Sequence, residues 1–150
     1  MTDQPLSPIA DSLWWVVPDR LAGVRKPTED ELPTLREMGI QAIVSVLSDD
    51  SNLDFYAQAE MPFLWLPVIG GKAPSVEQLQ QLKTFVDAQH KLGHAVVIHC
   101  SSGRRRTGTM LAALLILEGK SYDEATEIIA AANPAVEMRE AQHAFLRSVA

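Results

Sequence analysis

The chain has 150 residues, 47% of them hydrophobic and 21% charged, which suits one soluble domain with a single core. Its formal net charge of −6 argues against general binding to nucleic acids or to membrane surfaces. The single cysteine excludes an internal disulfide, so we expect a reducing, cytoplasmic location. The N-terminus has no basic segment before an apolar run, so no signal peptide is expected.

The first half of the chain predicts a tail followed by alternating strands and helices. Residues 1–12 are polar and contain two prolines, and we expect a flexible N-terminal tail there, with a single domain over residues 13–150. Strands are predicted at 13–17, 40–47 and 63–66, and residues 18–26 predict a loop. A helix is predicted over 28–38, because Thr28 and Glu31 form a capping-box pattern.

The second half continues the alternation. Residues 67–74 predict a loop rich in Pro and Gly. Helices are predicted over 75–92 and 121–132, each beginning at a serine with a Gln or Glu three residues later. The apolar, mostly β-branched run 95–98 predicts a buried strand, and the wholly apolar run 110–117 predicts a buried helix. A final amphipathic helix is expected over 137–149. This alternation predicts an α/β fold with a central, mostly parallel sheet flanked by helices.

The segment between the strand 95–98 and the helix 110–117 carries most of the chemistry. It contains the only cysteine, Cys100, and three consecutive arginines, Arg104, Arg105 and Arg106. A loop that joins a strand end to a helix start turns backbone N–H groups towards one point, and the helix dipole adds partial positive charge. The sequence therefore predicts an anion site beside Cys100, at the carboxyl end of a central strand.

The residue types in this loop suit phosphoryl transfer. A helix N-terminus and nearby cations lower the pKa of a thiol, so Cys100 is expected to be a thiolate nucleophile. The guanidinium of Arg106 can hold two phosphate oxygens. The hydroxyl of Thr107 can stabilise the sulfur as a leaving group, and Gly103 permits a positive φ in the loop. A Walker A loop is excluded because Gly108 is followed by Thr109 instead of Lys.

The pattern His99-Cys100-x5-Arg106-Thr107-Gly108 resembles the HCxxGxxR[ST]G motif of cysteine-based protein phosphatases, and every defined position matches. The stretch 15–23 is similar to the N-terminal loop of one branch, the small atypical dual-specificity phosphatases. The resemblance implies a protein tyrosine phosphatase-like fold, a phosphocysteine intermediate, and no metal or organic cofactor. It implies that Asp19 and Arg20 shape the rim of the site, although a surface ion pair is an equally good interpretation.

The resemblance also implies roles for individual residues. Cys100, Arg106 and Thr107 would be catalytic, and His99 would support the loop and the thiol pKa. The phosphate would be bound by backbone N–H groups of six consecutive loop residues and by the Arg106 side chain; these residues are Ser101, Ser102, Gly103, Arg104, Arg105 and Arg106.

One family feature is missing from the sequence. Members of this branch carry a catalytic Asp roughly thirty residues before the Cys, and the corresponding loop at 67–74 has no Asp or Glu, with Val68 near the expected position. Asp49 or Asp50 could supply the acid instead. Without an acid, turnover would fall by ~10²–10⁴-fold, and aryl phosphates would be hydrolysed better than alkyl phosphates.

Other functions remain open at this point. The chain could be a phospho-ligand binding module, although such a module would not need the thiol, or a redox sensor that uses Cys100. Arg104 and Arg105 could favour a multiply phosphorylated ligand such as a phosphoinositide. We expect a monomer that acts on a phosphorylated protein or a small phosphomonoester.

Overall fold

A computed structural model describes residues 8–150. Its strands, in chain order, are β1 Trp14–Val17, β2 Leu21–Val24, β3 Ile40–Ser45, β4 Phe63–Trp65 and β5 Ala95–His99. They form one sheet in the order β1-β2-β5-β3-β4. The edge strand β1 is antiparallel to β2, and all other neighbours are parallel. The predicted mostly parallel sheet is confirmed.

Seven α-helices surround the sheet in the described part of the chain, together with one short 3-10 helix. The α-helices are α1 Ile9–Ser12, α2 Leu32–Glu37, α3 Leu53–Gln58, α4 Val76–Lys91, α5 Arg105–Leu117, α6 Tyr122–Ala132 and α7 Glu140–Val149. The three predicted capping boxes are present, at Thr28 with Glu31, Ser75 with Gln78, and Ser121 with Glu124. No helix among residues 8–150 is long and apolar enough to cross a membrane.

The central strand β5 is buried on both faces, which explains its uninterrupted apolar run. Val96 and Ile98 belong to a core cluster that includes side chains of α4, α5, α6 and α7. Ala95 and Val97 belong to a second cluster with side chains of α1, α2 and α3. The sheet therefore has two covered faces, with β5 as its middle strand.

Three sequence-based boundaries were wrong. The predicted loop 18–26 contains strand β2, whose four residues are all buried because it pairs with β1 and β5. Of the predicted tail 1–12, residues 1–7 lie outside the described residues, whereas Ile9–Ser12 form α1 and Ile9 is buried in the second cluster. The last helix begins at Glu140, so residues 137–139 belong to the preceding loop.

Candidate active site

A cleft of about 710 Å³ opens at the carboxyl end of β5. The cleft is lined by Cys100 and by five residues of the loop that follows it, Ser101, Ser102, Arg104, Arg105 and Arg106. Residues 70–72 also line it, together with Ala135, Glu137 and Arg139 from the loop between α6 and α7. The predicted anion loop therefore shares with two other loops a space large enough for a small ligand.

Cys100 is 2% exposed, and its sulfur is surrounded by hydrogen-bond donors. The Thr107 hydroxyl donates to Cys100 Sγ over 3.1 Å. Burial would raise the pKa of the thiol. The Thr107 hydroxyl and the backbone N–H groups of Thr107, Arg104 and Gly103 act in the opposite direction, and the net effect is a lowered pKa. A lowered pKa favours the thiolate over the neutral thiol.

The Arg106 side chain reaches from the first turn of α5 to the loop at 67–74. Its Nη1 donates to the backbone oxygen of Val68 over 2.9 Å, and its Nη2 donates to Ser101 Oγ over 3.1 Å. Val68 is 4% exposed, so this carbonyl belongs to a well-packed segment. At the position where the family pattern places an acid, this chain therefore has a backbone acceptor that orients Arg106.

The Cys100 loop is anchored to the β1–β2 edge of the sheet. Trp14 Nε1 donates to the carbonyl of Gly103 over 3.1 Å, and the backbone N–H of Lys26 donates to the carbonyl of Ser101 over 3.0 Å. Gly103 has φ +75°, and a Cβ there would lie 2.4 Å from the backbone of Val24. The predicted positive φ is confirmed, and the close approach to β2 gives a second reason for glycine.

A chain of buried hydrogen bonds lies behind the sulfur. Asn52 Nδ2 donates to the Tyr56 oxygen over 3.1 Å, so the Tyr56 hydroxyl can donate to His99 Nε2, which is 2.7 Å away. His99 Nδ1 then carries the proton and donates to the Cys100 carbonyl over 3.1 Å. Burial lowers the pKa of His99 to about 4. The neutral ring therefore supports the loop by hydrogen bonding and brings no positive charge to the sulfur.

The structure gives little support to the two predicted acid candidates. Asp49 and Asp50 are exposed, and neither lines the cleft. Asp49 Oδ1 accepts hydrogen bonds from the hydroxyl and the backbone N–H of Ser51, and these bonds lower the pKa of Asp49. A lowered pKa favours the ionised form, whereas a general acid must hold a proton.

Asp19 and Arg20 lie away from the cleft. They sit in the turn between β1 and β2, at the edge of the sheet where β5 begins, and the Arg20 carbonyl accepts from Val96 N–H. They form no ion pair with each other among residues 8–150. Neither interpretation of this pair is supported.

The structure adds residues that the sequence did not single out. Lys72, Glu137 and Arg139 line the cleft together with Cys100. Glu137 and Arg139 belong to the loop between α6 and α7. Gly108 allows this loop to approach α5, because a Cβ there would lie 2.8 Å from Val136 Cγ1. The loop was hidden in the sequence because residues 137–149 have a helical pattern.

The lining of the cleft is strongly basic. It contains five basic side chains, Lys72, Arg104, Arg105, Arg106 and Arg139, and one acidic side chain, Glu137. The whole chain carries a net charge of −6, so positive charge is concentrated around the cleft. Among the described residues, no group of three or more His, Cys, Asp or Glu side chains could hold a metal ion.

Proteins of known structure share this fold. The chain superimposes on the crystal structure of Tk-PTP in its active form with a TM-score of 0.85 and 28% identity, covering 92% of this chain and 95% of that one. The structure of PTPMT1 gives 0.82 at 22% identity, covering 91% and 92%, and human DUSP28 gives 0.79 at 19%, covering 98% and 96%. The last two likenesses show the fold alone.

Two curated relatives match shorter parts of the chain. The human phosphatidylglycerophosphatase and protein-tyrosine phosphatase 1 is 37% identical over 70 residues, which are 46% of this chain and 35% of that protein. The phosphatidylglycerophosphate phosphatase PTPMT2 of Arabidopsis thaliana is 26% identical over 108 residues, 69% of this chain and 47% of that protein. The aligned region thus spans less than half of either relative.

The family model described as "Polymorphic toxin system, DSP-PTPase phosphatase" matches residues 20–120, which is more than half of the chain. This region contains the whole His99–Gly108 motif and four of the five strands. The chain belongs to the DSP-PTPase phosphatases, a family of cysteine-based phosphatases with the protein tyrosine phosphatase fold.

Proposed function

We propose that this protein hydrolyses phosphate monoesters through a covalent phosphocysteine on Cys100. The observation that carries the proposal is the sulfur environment. Cys100 Sγ lies beside a basic cleft, with the Thr107 hydroxyl 3.1 Å away and a pKa lowered by hydrogen bonds. A module that only bound phosphate would need the N–H groups and Arg106 but no stabilised thiolate.

In the first step, the Cys100 thiolate attacks the phosphorus atom and forms an S–P bond as the P–O bond to the leaving group breaks. Backbone N–H groups of residues 101–106 and the guanidinium of Arg106 hold the phosphoryl oxygens. Arg106 then exchanges its present acceptors, the Val68 carbonyl and Ser101 Oγ, for phosphate. Charge-assisted bonds of this kind strengthen as charge develops on the oxygens.

In the second step, a water molecule attacks the phosphorus of the phosphocysteine and the S–P bond breaks. Inorganic phosphate is released, and the sulfur leaves as a thiolate. The hydroxyl of Thr107 stabilises the negative charge that returns to Cys100 Sγ. His99 acts through its bond to the Cys100 carbonyl and does not touch the substrate.

Pre-steady-state hydrolysis of p-nitrophenyl phosphate tests the proposal. We expect a burst of nitrophenol stoichiometric with the protein, and a phosphorylated Cys100 in protein quenched by acid. Cys100→Ser should lose the burst and still bind inorganic phosphate. Arg106→Lys should slow turnover by at least tenfold, whereas Arg147→Lys, at an exposed ion pair with Glu140, serves as the control. Undiminished turnover by Cys100→Ser would refute the phosphocysteine mechanism.

We propose further that aryl phosphates are better substrates than alkyl phosphates. A phenol, with a pKa of about 10, leaves more readily than an alcohol. Matched phosphotyrosine and phosphoserine peptides measure this preference, and equal kcat/KM values would contradict it.

A second candidate substrate class is a phosphate ester with additional negative charges, such as a phosphoinositide head group. The supporting observation is the basic lining outside the Cys100 loop, because Lys72 and Arg139 line the same cleft as Arg104 and Arg105. The names of the two curated relatives point the same way, since both act on phosphatidylglycerophosphate.

This second class has its own test. We expect KM to differ between an inositol head group with one phosphate and one with two. This difference in KM should become smaller in Lys72→Gln and in Arg139→Gln, and also when salt is added. An unchanged KM in both variants would favour phosphopeptides.

We also propose a cytoplasmic location, which the single cysteine supports.

A further inference from the structure

We propose that Glu137 is the general acid of this phosphatase and replaces the aspartate that the loop 67–74 lacks. The inference rests on the phosphocysteine reaction proposed above and adds one catalytic residue to it. Among the residues that line the cleft with Cys100, Glu137 is the only one with a carboxyl group.

The carboxylate of Glu137 is available to a ligand. It is exposed, and among residues 8–150 its oxygens form no ion pair and no hydrogen bond. Glu140, three residues further along the chain, is by contrast paired with Arg147, and the sequence candidate Asp49 is bonded to Ser51. A carboxyl group without internal partners can donate to a substrate oxygen without first breaking a contact.

The backbone of Glu137 is fixed against the Cys100 loop. Arg105 Nε donates to the Glu137 carbonyl over 2.9 Å, and Arg105 belongs to the first turn of α5. The preceding residue, Val136, packs so closely on Gly108 that a Cβ at Gly108 would lie 2.8 Å away. Glu137 is therefore attached to the end of the helix whose first turn carries Arg106.

The same segment is joined to the loop that lacks the acid. Gln142 Nε2 donates to the Lys72 carbonyl over 3.2 Å, and the Arg139 side chain lies next to Gly71. The loop 67–74 and residues 137–142 are thus in direct contact, and both segments contribute to the lining of the cleft. A carboxyl group at position 137 therefore lies in a segment next to the loop in which the family pattern places the acid.

The chemistry balances with one proton. As Cys100 attacks the phosphorus and the P–O bond breaks, the Glu137 carboxyl transfers its proton to the departing oxygen, which leaves as a neutral alcohol or phenol. The resulting carboxylate then takes a proton from the attacking water as the S–P bond breaks.

Glu137→Gln is the decisive variant, because it keeps the shape of the side chain and the backbone carbonyl that Arg105 uses. We expect its activity on alkyl phosphates to fall by ~10²–10⁴-fold, and its activity on p-nitrophenyl phosphate to change by less than tenfold. The reason is that nitrophenolate is a stable anion and needs no proton to leave. The plot of log kcat/KM against leaving-group pKa should therefore become steeper.

Three results would overturn the inference. The first is a plot of log kcat/KM against leaving-group pKa whose slope is unchanged in Glu137→Gln. The second is an equal loss of activity by Glu137→Gln on all substrates. The third is a steeper slope in Asp49→Asn or Asp50→Asn instead. Glu140→Gln, an exposed acid outside the cleft, is the matched control. A failure of the phosphocysteine mechanism itself can be told apart from a failure of the Glu137 proposal. It would appear as undiminished turnover by Cys100→Ser, whatever the behaviour of Glu137→Gln.

Discussion

The buried hydrogen-bond chain behind Cys100 makes a quantitative prediction for Tyr56→Phe. Tyr56 and His99 are both 0% exposed, and the hydroxyl that joins them is removed without changing the shape of the ring. His99 Nε2 is then left without its donor, whereas Asn52 Nδ2 keeps a second acceptor, the Pro27 carbonyl at 2.7 Å.

The expected loss of stability follows from the unpaired His99 Nε2. One buried acceptor without a partner costs about 1–3 kcal/mol, and water cannot replace the hydroxyl at a fully buried position. No sizeable cavity is added, since only an oxygen atom is lost. We therefore expect Tyr56→Phe to lower the free energy of unfolding by about 1–3 kcal/mol, with an unchanged m-value.

The other tyrosine provides a matched control. Tyr122 also bonds to a histidine, with its hydroxyl 2.8 Å from His143 Nδ1, but both residues are only half-buried. Water can replace that hydroxyl in Tyr122→Phe, so the free energy of unfolding should fall by less than in Tyr56→Phe. Urea denaturation followed by circular dichroism measures both variants. If Tyr122→Phe is destabilised as much as Tyr56→Phe, or if Tyr56→Phe is neutral, the reasoning is refuted.

Three further predictions concern the same region. Because the pKa of His99 is lowered to about 4, the unfolded state binds more protons than the folded state between pH 6.5 and 4. The stability supplied by neutral His99 should therefore be lost as the pH falls through this range, and NMR should show the His99 ring still uncharged at about pH 5. The lowered pKa of Cys100 should allow alkylation by iodoacetamide at neutral pH, and Thr107→Val should move the midpoint of the alkylation rate to higher pH. Gly103→Ala should lose more stability than the ~1–2 kcal/mol that a left-handed backbone costs an alanine, because its Cβ would also clash with backbone atoms. Gly39 has φ +98° and no atom within 4 Å of such a Cβ, so Gly39→Ala should lose only that smaller amount. Thermal unfolding measures both variants.

Local sequence signals were enough for much of the fold. The capping boxes at Thr28, Ser75 and Ser121 marked three helix starts, because they are formed by residues three positions apart. The β-branched run that became β5 identified the central strand, and the motif after it located the anion loop. These features depend on neighbours in the sequence, and therefore they are visible without the structure.

Features that depend on distant partners were missed. Strand β2 contains a glycine and follows a Pro-Asp turn, so its local pattern favoured a loop, and only pairing with β1 and β5 makes it a strand. Glu137 was assigned to a helix because the acidic and apolar spacing of 137–149 continues without interruption. In the structure the loop 133–139 turns at 134–135 and packs against Gly108 and Arg105, which belong to a segment about thirty residues away.

The anchoring of the Cys100 loop by Trp14 has a consequence for biosynthesis. The bond from Trp14 to the Gly103 carbonyl joins residues 89 positions apart, and part of the lining of the cleft is supplied by residues beyond 134. Contacts of such long range form late in folding, after the entropy of closing the intervening loops has been overcome. In a nascent chain still emerging from the ribosome, Cys100 would therefore be an ordinary thiol, because the donors that lower its pKa would not yet surround it. Enzymatic competence would appear only in the last moments of maturation.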